Sequence, residues 1–110
     1  MANFISAKVS NPTLYGAKSW SFLEVLVKGK MWFYVINQYS SYQGETIVIT
    51  VYYAKLTGDK DYTTVAMNWR KRLLKLDPYC DEFADEVKSA VFVEEQLIKL
   101  VEFYNENCID

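Results

Sequence analysis

With 110 residues, 51% of them apolar and 16% aromatic, the chain has the size and composition of one globular domain with its own core, which excludes a disordered polypeptide. Its net charge of −2 hides a division: residues 1–76 carry ten Lys/Arg against four Asp/Glu, and residues 77–110 carry two against ten. Such asymmetry points to a charged partner or to two segments folded onto one another, and Phe83, Val87, Leu97, Leu100 and Tyr104 within the acidic segment exclude a solvated tail.

In chain order, residues 4–9 alternate as a strand suited to a sheet edge, with Asn11-Pro12 turning the chain afterwards. Residues 20–28 and 31–38 are rich in β-branched and aromatic types. They flank Gly29-Lys30, a Gly-first pair that predicts a two-residue type II′ hairpin turn. That turn would set Val27 opposite Trp32, Val25 opposite Tyr34 and Leu23 opposite Ile36, making one core face. The second face would hold Phe22, Glu24, Leu26 and Lys28 beside Met31, Phe33, Val35 and Asn37, mixed but unusually apolar for a solvated surface and expected to be covered. A polar loop over 39–45 leads to a strand at 46–53 with Ile47, Ile49 and Val51 inward.

From Asp61 the period becomes helical, through Tyr62, Val65, Ala66, Trp69, Leu73 and Leu76, which predicts a helix over 61–76 capped by Asp61. Asp77 would cap a second helix with Pro78 in its first position, and helix would continue to about residue 105 with a break near 88–90. Strands first and helices afterwards predict an α+β domain: a three- to four-stranded antiparallel β-meander followed by two or three helices packed on one sheet face. One domain is expected over 1–110, with strands at about 3–53 and helices at about 61–107.

The chain contains no His, which removes the commonest acid-base group near neutral pH, and it has neither a phosphate-cradling Gly-rich loop nor a nucleophile elbow. No enzymatic activity, cofactor or metal is expected. Cys80 and Cys108, few and far apart, imply neither a disulfide framework nor a metal site and are read as two buried or idle thiols. Without a cationic start followed by a long apolar run, and without an apolar stretch of membrane-spanning length, the chain is expected to be cytoplasmic and to have no membrane partner.

The remaining signals concern surfaces. Asp77, Asp81 and Asp85, and likewise Glu82 and Glu86, recur at i, i+4 as an acidic ridge able to dock a basic surface. With the second sheet face and the loop tyrosines Tyr39 and Tyr42, they suggest a small interaction protein of adaptor or inhibitor type that binds a protein partner or forms a homodimer. The candidate partner-binding residues are Phe22, Leu26, Phe33, Val35, Tyr39, Tyr42, Asp85 and Glu86. The alternative is single-stranded nucleic-acid binding. It would use Tyr52 for stacking and Lys28, Lys30, Arg70, Lys71 and Lys75 for phosphates. Pairing of the basic residues 70–75 with the acidic ridge after them would instead neutralise both within the domain.

Overall fold

The computed structural model describes residues 3–10 and 18–108, with side chains described except at 3, 7–10, 18–21, 38–42 and 47. The chain is an α+β protein. Five strands form one antiparallel sheet in sequential order: β1 (Asn3–Ser10), β2 (Lys18–Val27), β3 (Met31–Tyr42), β4 (Glu45–Leu56) and β5 (Thr63–Val65). Three helices follow: α1 (Trp69–Leu76), α2 (Asp81–Ser89) and α3 (Glu94–Asn107). The expected edge strand is β1, paired along its whole length with β2, while the Asn11-Pro12 turn lies outside the described residues.

The chain reverses in both expected places, between β2 and β3 and between β3 and β4, but with different turn geometry. Residues 39–42 are not loop but continue β3, and the chain reverses at Gln43-Gly44, both at positive φ (52° and 80°) as a type I′ turn requires. The result is a hairpin of two twelve-residue strands. Gly29, by contrast, has no positive φ, so the II′ turn does not form. A bulge between Val25 and Val27 takes up one residue instead. Val25 still faces Tyr34, but Val27 pairs with Phe33 rather than Trp32, because a single extra residue sends the following side chain to the opposite face.

Both faces are therefore apolar, and they belong to different clusters. Leu23, Tyr34, Ile36, Val51 and Tyr53 pack together on one face, with Val25, Ile49 and Trp32 beside them, and Tyr62 of the β4–β5 connection stands edge-on to Tyr34 at 5.2 Å. Met31, Phe33, Ala54 and Val65 face the other way, joined by Val27, and meet the helices. The helices bury residues at helical spacing against them: Trp69 and Leu73 from α1, Phe83 and Val87 from α2, and Leu97, Leu100, Val101 and Tyr104 from α3.

The first helix starts at Trp69 and not at Asp61. The β-branched run Thr63-Thr64-Val65 forms β5, with Val65 fully buried opposite Tyr52. Asp77 does not cap α2 either. It is extended, as a residue before proline prefers, and its carboxylate accepts the Tyr79 N–H at 3.1 Å, so Pro78 lies in a turn and α2 begins at Asp81, later than expected. The break between α2 and α3 falls at residues 90–93, close to the expected place.

Cys80 and Cys108 are not idle thiols: they form a disulfide that joins the start of α2 to the end of α3. Their 28-residue separation makes this bond worth about 3 to 4 kcal/mol in the chain-entropy picture. The same corner is held to the sheet. Asn105 accepts the Met31 N–H at 2.7 Å and donates to the Met31 carbonyl at 2.9 Å, acting as a substitute strand at the beginning of β3. Gly29 has to be glycine for this reason, since a Cβ there would lie 2.5 Å from the Asn105 amide.

Candidate interaction surface

Twelve residues of extended chain reach about 40 Å, whereas helices of eight, nine and fourteen residues reach about 12, 14 and 21 Å. The helix layer therefore covers only part of the sheet face that it packs on. The molecule measures 49 × 29 × 27 Å, elongated in keeping with this mismatch. Register places Met31, Phe33 and Val35 on the covered part and Asn37 beyond it, with Leu56, Ala54 and Tyr52 opposite the first three and Thr50 opposite Asn37. Val35 is buried and Asn37 exposed, so the boundary falls between them.

Past that boundary apolar side chains are exposed, Phe22 at 74% and Val48 at 51%, and so is Phe4, at 60%, at the β1 end of the Val35 row. They lie on the helix side of the sheet, because Phe4 pairs with Glu24, which pairs with Val35, while Phe22 and Val48 follow at even spacing from Glu24 and Tyr52. At the boundary the α2–α3 connection adds Val91, Phe92 and Val93, all exposed. Phe92 sits edge-on to Tyr52 at 5.9 Å and tilted against Trp69 at 5.7 Å, so it roofs the last covered row. Among the described residues, no three His, Cys, Asp or Glu side chains converge as metal ligands.

Several residues expected at a contact surface are used inside the chain. Phe33 lies beneath the helices, Val35 is buried two residues along on the same face, and Leu26, in the bulge, is half-buried against the helix-side core. Tyr52 stacks on Phe33 at 5.5 Å and donates its hydroxyl to Glu94 at 3.3 Å; burial, then the Glu94 charge, raises its pKa above the usual tyrosine value. Arg70 lies over Trp69 and donates to the Val87 and Ala90 carbonyls at 3.2 and 2.7 Å, closing the C-terminus of α2. Lys30 donates to the Cys108 carbonyl at 3.2 Å at the end of α3.

Phe22 is the one apolar candidate that is both expected and fully presented. Asp85 and Glu86 are exposed on α2, Glu86 bordering an open groove of about 340 Å³ between α2 and α3. Asp77 is not part of their ridge. Its carboxylate accepts the Tyr104 hydroxyl at 2.6 Å, which, against some desolvation and with help from Tyr79 and Lys30, holds its pKa below the usual carboxylate range. Lys28, Lys71, Arg72 and Lys75 are exposed, and among the described residues none of them forms an ion pair. The expected neutralisation of residues 70–75 by the acidic ridge is absent, because Arg70 turns to carbonyls and the turn at 77–80 separates the helices. The side chains of Tyr39 and Tyr42 lie outside the described residues. Phe4, Val48 and Phe92 were missed, although the alternation that marks β1 and β4 carried the first two.

Set against known proteins, the chain matches no family model, and neither a curated protein nor a solved structure matches it. Among the described residues, no helix is long and apolar enough to cross a membrane.

Proposed function

We propose that this is a non-enzymatic interaction protein of adaptor or inhibitor type that docks a protein partner on the open end of its helix-side sheet face. The observation that carries the reading is Phe22, 74% exposed on a face whose other end is a packed core. A monomer has no use for aromatic side chains standing in water on a flat sheet, whereas a partner gains about 25 cal/mol for each Å² of them it covers. Phe4 and Phe92 extend the apolar contact, and the exposed Asp85 and Glu86 favour a partner whose rim is basic.

Capture from lysate with the intact protein and with Phe22→Glu, each with and without nuclease, tests the reading. A protein retained by the parent after nuclease treatment and lost with the variant supports it; identical capture by both overturns it. The single-strand nucleic-acid alternative retains Lys28, Lys71, Arg72 and Lys75, with Tyr52, Lys30 and Arg70 engaged internally. Salt-sensitive oligonucleotide binding by fluorescence anisotropy would revive it.

Compartment belongs to the same proposal. The cytoplasmic setting expected from the sequence and the Cys80–Cys108 bond pull in opposite directions, since the cytosol of most organisms keeps thiols reduced. Thiol counting on protein blocked at lysis decides between them: two free thiols for the cytoplasm, none for an oxidising compartment.

A further inference from the structure

The outer side of β4 is only partly used. β5 pairs with Tyr52, Tyr53 and Ala54, and among the described residues no strand pairs with positions 45–51 on that side. Seven consecutive residues between the Gln43-Gly44 turn and β5 therefore present a bare row of backbone donors and acceptors. Edge strands usually carry a protecting Lys, Pro or bulge. Positions 46–51 carry no charge and no Pro, and β4 pairs with β3 there without irregularity.

The sequence of this bare edge, Thr46-Ile47-Val48-Ile49-Thr50, reads identically in both directions about Val48. An antiparallel strand pair between two copies of one chain requires residue i to meet j and j to meet i across a two-fold axis. With the axis at Val48, Thr46 meets Thr50, position 47 meets position 49, and Val48 meets itself. Glu45 then faces Val51 of the other copy, so its charge opposes no like charge. The available gap has the same centre: it begins at residue 45, just after the turn, ends at residue 51, just before β5, and is bisected by residue 48. Chain symmetry and the space left by the fold thus select one axis independently.

We propose that two copies of this chain pair antiparallel through β4 about a two-fold axis at Val48, joining β1–β4 of each into one eight-stranded sheet. The occupant of the edge is a second copy, because an unrelated strand has no reason to match a palindrome centred in a gap of this length. The proposal does not depend on the partner reading above: it uses the strand edge, while Phe22 stands on the face.

Light scattering after size exclusion, on the intact protein and its variants, tests it. The parent is expected to be a dimer. Val48→Lys and Val48→Glu, at a half-exposed position, are each expected to weaken it by roughly a hundredfold or more, because like charges then meet at the axis. An equal mixture of the two is expected to restore a dimer. Should either variant lose its native circular dichroism, the exposed pair Thr46 and Thr50 replaces it: Thr46→Lys with Thr50→Lys breaks the dimer, and Thr46→Lys with Thr50→Glu retains it. A parent monomeric at high micromolar concentration, a dimer untouched by Val48→Lys, or open-ended assemblies would each overturn the proposal. Phe22→Glu is expected to leave the dimer intact, so loss of partner capture and loss of dimerisation are read separately.

Discussion

One sheet face has two ends whose apolar side chains meet opposite fates. At the Met31 end, Phe33 lies in the core shared with the helices; in the rows beyond Val35, Phe22 and Val48 are exposed. The face turns more polar past the boundary, where Asn37 lies opposite Thr50, but Phe22 and Val48 keep the apolar character of the covered end there. What differs is how far the helices reach, and helix length is set by Pro78, by the extended Asp77 and by the β-branched residues 91–93, none of which belongs to the sheet. Exposure of an apolar strand residue is thus decided by punctuation elsewhere in the chain, and a surface for docking arises where the covering layer stops.

The contrast is broken most severely from the covered end. Phe33→Ala is expected to cost about 3 to 5 kcal/mol in urea unfolding, whereas Phe22→Ala, with the same chemistry in a neighbouring strand, should stay within about 0.5 kcal/mol. Equal losses would mean that the open end is covered in solution. Opening the disulfide, by Cys80→Ser with Cys108→Ser, should remove about 3 to 4 kcal/mol. In hydrogen exchange the same variant should loosen the helices before the β3–β4 hairpin beyond Asn37.

Asn105→Ala leaves the N–H and carbonyl of Met31 without their partner, at a cost of about 1 to 3 kcal/mol in thermal or urea melts. The smallest expected effect concerns Asp77, whose pKa is depressed in the folded chain. Its contribution is complete above the ordinary carboxylate pKa near 4 and is lost as pH falls through the lower folded value. Tyr104→Phe removes the main cause, so the variant should be less stable by about 1 kcal/mol at pH 7. The gap between the two proteins should close as pH falls below the ordinary carboxylate pKa near 4.

The α+β class and four strands were legible because alternation over eight or more residues is hard to imitate. β5 was not: three residues cannot establish a period, and Tyr62, Val65, Ala66 and Trp69 happen to fall at helical spacing. The face of Val27 was misassigned for a purely local reason, a bulge that leaves no mark in composition. Reading Gly29 as a turn residue gave the right position and the wrong turn type. This glycine answers to Asn105, and a close approach between residues so far apart in sequence is invisible to local rules. The disulfide was hidden similarly, since spacing alone does not say which cysteines meet. Of the candidate surface, Phe22 could be named from alternation, but its exposure could not, because that depends on where the helices end.

The contact between Met31 and Asn105 spans 74 positions, and it bears on how the chain is made. Translation delivers the five strands first, so β3 emerges with Met31 and Phe33 bare and waits for α3 to follow. At about 5 to 20 residues per second, that wait lasts roughly 4 to 15 s. Throughout it, the nascent sheet is apolar on the face the helices will cover and unprotected along β4. The sheet is thus made before its cover, and the core of this protein closes only when the last helix has been delivered.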